Sequence, residues 1–207
     1  MSAPATQAEV RRAREADIPT VSRILAAAFD DDPVFRWFIR HDERHGEATE
    51  RLLRGGVERA VREHGECYLL ADERGAAVWQ PPGYKGPPPS PDDRERLAAE
   101  ICDTPEGRRR FAQFAELMAE HHAIEPPNFY LGAIGVLPAV QRGGLGSLLI
   151  RAVLDRCDRE EIPASLISTR ERNLPLYERH GFVVSTRVEL PDGGPALWPM
   201  WREPRSE

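Results

Sequence analysis

Gly143, Gly144 and Gly146 stand within four positions of one another in "VLPAVQRGGLGSLLI" (residues 136–150), between an apolar run ended by Pro138 and a leucine-rich stretch. The first N–H groups of a helix have no partner inside it and lie at the positive end of its dipole. A phosphate placed there meets several donors. Glycines keep Cβ atoms away from a bulky anion and permit the turn that aims the amides at it. The chemistry is therefore anion binding by backbone, with a plain tight turn as the competing reading of the glycines alone. Two familiar cradles do not fit. A P-loop needs Lys and then Ser or Thr after its last glycine, whereas Gly146 is followed by Ser147 and Leu148. The dinucleotide fingerprint needs a third glycine and an acidic residue at the end of the next strand, where this chain has Ser168 and Thr169.

Other reactive residue types give weaker patterns. Ser147 lacks the Gly-x-Ser-x-Gly elbow of a hydrolase nucleophile. His41 and His45 in "HDERH" have the spacing of a zinc helix. Asp42 replaces the Glu of that motif and Gly46 follows at once, so no metal is expected. His121, His122 and Glu125 read as a solvated helix end, and Asp30, Asp31 and Asp32 as a solvated loop after a helix.

The elements that must position these residues follow from periodicity. "VRRAR" reads as a strand. Ile18, Val21, Ile24, Leu25 and Ala28 recur at helical spacing, with Asp17 as N-cap and a stop near Asp30. "PVFRWFIR" reads as a short helix and Glu47–Glu63 as a longer one. "ECYLLADERGAAVWQPPG" reads as a hairpin, the proline-rich stretch after it as a loop, and 91–102 and 105–122 as helices. Then come a strand "NFYLGAIGV", a helix Leu145–Glu160, a strand "ASLIST", a helix "NLPLYERH" closed by Gly181, and two strands, "FVVSTRVEL" and "ALWPMW", around "PDGG". This βαβαββ second half predicts an α/β (α+β) domain with a mixed, mostly antiparallel sheet flanked by helices.

The 207 residues suit one domain over about 10–203, and 41% hydrophobic with 30% charged residues is ordinary for a globular chain. No apolar run is long enough to span a bilayer, and the first ten residues lack a signal-peptide pattern, so a cytoplasmic protein is expected. A net charge of -6 argues against a nucleic-acid partner. Three isolated cysteines offer neither a metal set nor a disulfide framework.

"GVLPAVQRGGLG" resembles the GNAT acetyltransferase pattern Val-x-Pro-x-x-(Gln/Arg)-x-x-Gly-x-(Gly/Ala), carried here by Val136, Pro138, Gln141, Gly144 and Gly146. "NLPLYERHGF" resembles the second GNAT signature. "LAAAFDDDP", "AAVWQPP", "EPPNFYLGAIGVLPAVQRGGLGS" and the tail "ELPDGGPALWPMWREP" are most similar, within that superfamily, to the puromycin N-acetyltransferases. The resemblance implies acetyl-CoA as cosubstrate, held by about 126–203 between splayed strands. The pantetheine arm would pair with Ile134, Gly135 and Val136. The pyrophosphate would sit on the amides of Gln141, Arg142, Gly143, Gly144, Leu145, Gly146 and Ser147. The resemblance further implies that acetyl passes directly to a primary amine of a small molecule, with Val136 N–H as the oxyanion donor, Tyr177 as the candidate acid for the leaving thiolate, and Asn173 as a partner of the cofactor arm. Phe29, Asp31, Asp32 and Trp79 would border the acceptor, with a packed sheet position as the equal alternative for Trp79. A homodimer is compatible with the superfamily.

One departure stands out. Relatives carry a Glu where this chain has Ile167. The base is left open between Glu125, His122, Glu171, the Asp30–Asp32 cluster through water, and an acceptor of low pKa. Two other functions compete: a protein or peptide N-acetyltransferase, and a non-catalytic acyl-CoA-binding module.

Overall fold

The computed structural model describes residues 9–84, 86, 90–122 and 126–205. Its strands are β1 (Val10–Arg12), β2 (Cys67–Leu70), β3 (Gly75–Gln80), β4 (Phe129–Val136), β5 (Ala164–Ser168), β6 (Val183–Val184), β7 (Val188–Glu189) and β8 (Ala196–Arg202). They form one sheet in the order β1-β2-β3-β4-β5-β8-β6, with β7 also on β8. β4 and β5 pair in parallel. The other pairings are antiparallel. The helices are α1 (Ile18–Phe29), α2 (Pro33–Phe38), α3 (His45–Arg59), α4 (Pro91–Ile101), α5 (Pro105–His121), α6 (Leu145–Arg159) and α7 (Leu174–Arg179). This is the mixed, mostly antiparallel sheet with flanking helices that the element order predicts.

Three helices start with a polar cap followed by proline. Asp32 accepts from the amides of Val34 and Phe35, Ser90 from Asp93 and Thr104 from Gly107. Each cap satisfies donors that a helix start leaves open, and the proline needs none. α6 differs, since it begins on Gly144 and no side chain caps it.

The sheet separates two sets of helices. On one face, Trp79, Phe129, Leu131 and Leu166 pack with Leu149 and Val153 of α6 and Tyr177 of α7. On the other, α1 and α3 bring Val21, Leu25 and Val57 onto Leu69, Ala76 and Val78. Beside them, Phe35, Phe38, Ile101 and Phe111 of α2, α4 and α5 pack with Leu197 of β8. Each fully buried large side chain contributes about 1.5–3 kcal/mol, so the sheet is anchored from both sides.

Two local expectations need correction. Asp17 does not cap α1 with its side chain. A 3₁₀ turn at Glu15–Asp17 aims the carboxylate at Arg11 instead, with bonds of 2.6 and 2.8 Å, and at the Arg14 amide. "FVVSTRVEL" is not one strand but two, β6 and β7. The interruption faces Pro199 of β8, whose carbonyl accepts from Ser185 N but which has no N–H to return. The register shifts by one residue between Val184↔Met200 and Val188↔Leu197.

Candidate functional site

β4 and β5 start side by side and then part. Their pairing runs through Phe129↔Ala164, Tyr130↔Ser165 and Leu131↔Leu166 and stops. β4 continues against β3 as far as Val136↔Gly75. Leu131 and Ala133 face Trp79 and Val78, which are adjacent, so Gly132 is an extra residue in the strand. Such a bulge bends the strand and resets its alternation. Phe129 and Leu131 before it, and Ile134 and Val136 after it, all pack toward α6.

The gap is lined by backbone. Leu137 N donates to Arg74 O at 2.9 Å, which places Leu137 in a hydrogen-bonded pair with β3. By the alternation of an antiparallel ladder, Gly135 and Ala133 also face β3, and the N–H and C=O of Ile134 and Val136 face the gap. Gln141 Nε2 donates to Val136 O at 3.0 Å, tying the following loop to the strand end. Gly135 serves a different purpose. A Cβ there would lie 2.6 Å from Ala28 Cβ, so its absence lets α1 rest on the strand.

The start of α6 meets the same gap. Gly144 has φ 81°, a left-handed conformation that glycine adopts without penalty. Arg142 also has positive φ, at 67°. Leu148 N makes the bond to Gly144 O at 3.2 Å, so the amides of Leu145, Gly146 and Ser147 precede it as the open donors of the first turn.

These pieces line one cavity of about 510 Å³. Gln141, Arg142, Gly144, Leu145, Gly146 and Ser147 form one end. Gly132 to Val136 and Leu166 to Ser168 form the middle, with Asn173 and Tyr177. Ala28, Phe29, Asp32, Phe35, Leu53 and Met118 form the other end, which is largely apolar. The Tyr177 ring is buried against Phe182, edge to face, with centroids 6.2 Å apart. Its hydroxyl has no hydrogen-bond partner among the described residues. Burial, with Asp32 nearby, pushes its pKa well above that of an ordinary phenol. It holds its proton and suits an acid rather than a base.

Several sequence candidates sit elsewhere. Trp79 is 0% exposed in the core and does not line the cavity, because β3 turns it toward α6. Gly143 is off the lining, turned toward Val140 O. Asp31 is exposed outside the cavity, paired with Arg170 and Arg172. Asp32 does line it, yet is no solvated loop residue. It is 1% exposed and accepts from Val34 N, Phe35 N, Thr169 Oγ1 and Arg170 Nε.

The base candidates scatter likewise. Asp30 pairs with Arg36 at the surface. His122 stacks on Tyr130 with centroids 3.9 Å apart, and burial lowers its pKa. Glu171 is exposed beyond the lining, and Glu125 lies outside the described residues. Ile167 itself faces the cavity. His45, of the zinc-like spacing, is buried with its ring nitrogens on Arg40 O and Asp30 O at 2.8 and 3.1 Å.

The structure adds residues the sequence reading passed over. Gly132 carried a signal, since a glycine inside a strand pattern marks a bulge. Leu53, Met118 and Arg170 carried none, because only the tertiary fold brings them to the site.

The chain is similar in sequence and fold to known acetyltransferases. The model of the acetyltransferase (GNAT) family matches residues 89–182. An uncharacterized N-acetyltransferase of Schizosaccharomyces pombe is 27% identical over 216 residues, covering 95% of this chain and 84% of the relative. The structure of histone acetyltransferase HPA2 and related acetyltransferase from Corynebacterium glutamicum superposes with a TM-score of 0.71 at 22% identity, covering 97% and 98% of the two chains. The Drosophila melanogaster polyamine N-acetyltransferase, which forms N-acetylagmatine, gives 0.65 at 15% identity over 94% and 99%. At such identities the structural likeness establishes the fold. These relatives do not single out the puromycin N-acetyltransferases.

Proposed function

We propose that the chain is an acetyltransferase of the GNAT type and that it moves acetyl from acetyl-CoA directly to a primary amine of a small molecule. The observation that carries this reading is the single cavity in which the Ile134 and Val136 backbone, the α6 amides and Tyr177 meet. Acetyl-CoA supplies an activated acyl group as a thioester. The open edge of β4 suits an amide-bearing arm added like a strand. The amides of Leu145, Gly146 and Ser147 suit a pyrophosphate, with Arg142 beside them.

The chain's own groups then divide the chemistry. The Val136 N–H donates to the acyl oxygen as negative charge develops there, a contact typically worth about 10²–10³ in rate. The acceptor attacks as the neutral amine, Tyr177 O–H delivers a proton to the departing sulfur, and the proton that the nitrogen sheds passes to solvent, from which the phenolate regains its own. Asn173 lines the same stretch and orients the arm. The acceptor amine enters from the end walled by Phe29, Phe35, Leu53 and Met118. The walls contributed by α1, α2, α3 and α5 favour a small acceptor over a long peptide. The polyamine acetyltransferase among the structural neighbours forms N-acetylagmatine, the product of a small acceptor. The motif resemblance adds aminonucleosides to the acceptors worth testing.

The test is free-thiol release from acetyl-CoA against a panel of aminonucleosides, arylalkylamines, polyamines and short peptides. Release with at least one small amine, above the rate without amine, is the expected result. Release with peptides alone contradicts the small-molecule acceptor. CoA binding without release under any amine favours the non-catalytic module.

A further inference from the structure

The turn between α1 and α2 and the segment after β5 lie 137 to 139 positions apart, yet charge joins them. Asp32 caps α2 with one carboxylate oxygen, taking Val34 N at 3.0 Å and Phe35 N at 3.3 Å. Its other oxygen takes Thr169 Oγ1 at 2.6 Å and Arg170 Nε at 2.9 Å. Arg170, only 7% exposed, reaches past it to Asp31 at 2.6 Å. Asp31 also binds Arg172 at 3.1 Å.

Each side of this knot carries part of the site. On the α1–α2 side, Phe29 and Phe35 stack at 5.0 Å and wall the acceptor end. On the other side, Thr169 and Arg170 lead through the Glu171–Asn173 turn into α7, which carries Tyr177. A carboxylate with four donors already on it is poorly placed to take a proton from an amine. A buried, hydrogen-bonded ion pair is well placed to fix a distance, and transfer steps are sensitive to small misplacements.

We infer that Asp32 and Arg170 are positioning residues for acetyl transfer, holding the acceptor wall in register with the Tyr177 hydroxyl. This rests on the acetyltransferase reading of the cavity. The competing role for Asp32 is a helix cap alone, and Asn caps a helix as well as Asp. D32N therefore keeps the cap and removes the charge.

The experiment measures kcat, both KM values and calorimetric CoA affinity for wild type, D32N, R170K, T169V, Y177F and D32N/Y177F. D32N is expected to lower kcat by about tenfold to a hundredfold while CoA affinity stays within about twofold, since none of the Asp32 and Arg170 side-chain bonds goes to the glycine turn. R170K behaves alike, since one ammonium cannot replace the guanidinium fork. T169V lowers kcat in the same direction by about twofold to fivefold. In the Y177F background D32N has far less effect than in wild type, because the pair acts through that hydroxyl's position. Wild-type kcat in D32N overturns the inference, as do effects of D32N and Y177F that multiply, or kcat and CoA affinity falling in proportion. Recovery of D32N turnover on raising the pH would make Asp32 a proton acceptor and overturn it too. Wild type that releases no thiol overturns the underlying reading, whereas active wild type with an indifferent D32N overturns the pair alone.

Discussion

The two ends of the cavity are built from different material. The end formed by β4 and α6 presents main chain: the Ile134 and Val136 edge and the first amides of α6. The end formed by α1, α2, α3 and α5 presents side chains, mostly apolar, fastened by the Asp32–Arg170 pair. Main-chain donors are the same whatever the residue, so that end is suited to a ligand that never changes. Side chains can be exchanged without moving the backbone, so under the proposed function the other end is the one free to define the acceptor. Tyr177 lines the same cavity as both.

Variants can break this division in order of decreasing effect. Tyr177→Phe removes the proposed proton donor while leaving the ring packed. It should lower kcat by about a hundredfold or more with CoA affinity unchanged, as read by steady-state kinetics and calorimetry. Gly146→Asp has room, since its Cβ would meet only Leu176 Cδ2 at 3.5 Å. Its carboxylate suits a helix start but repels a pyrophosphate. CoA affinity should fall about tenfold while the melting temperature holds or rises slightly, a split that calorimetry and thermal unfolding detect. Gly135→Ala drives a methyl to within 2.6 Å of Ala28 Cβ. Overpacking of this kind costs roughly 1–3 kcal/mol, so a lower denaturation midpoint should accompany weaker acceptor binding.

The smallest effect lies away from both ends. The Arg11 guanidinium, helped by the Arg14 amide, holds the Asp17 carboxyl at about 2 in the folded protein. An unfolded Asp titrates near 3.9. The contribution is complete above about pH 4 and is lost as pH falls toward 2, because the unfolded chain takes up the proton first. After solvent screening it is worth about 1 kcal/mol. Asp17→Asn should remove that amount at neutral pH and leave kcat untouched, as checked by urea unfolding at pH 7 and pH 3.

Legibility in the sequence follows the same division. Gly144 and Gly146, Pro138, and the Asn173–Tyr177 segment lie in two short runs, so local spacing exposes them. The apolar run "NFYLGAIGV" reads as the strand β4, and "PVFRWFIR", 91–102 and 105–122 as the helices α2, α4 and α5, without the caps that start them. The acceptor end was obscure because its contacts are non-local. Nothing near Asp32 in the chain announces Arg170, and nothing near Phe29 announces Met118. Trp79 was misplaced by a residue-level ambiguity: adjacent strand residues face opposite sides, and only the pairing register decides which side is the core. The break in "FVVSTRVEL" depends on Pro199, fourteen positions beyond Ser185, and so escaped a local reading.

Amide hydrogen exchange with and without CoA tests the central claim most directly. If the cofactor end is made of main chain, CoA should slow exchange at Ile134, Val136 and the Leu145–Ser147 amides, leaving α2 and α5 unchanged. Protection confined to α2 and α5, with those amides unaffected, would contradict it.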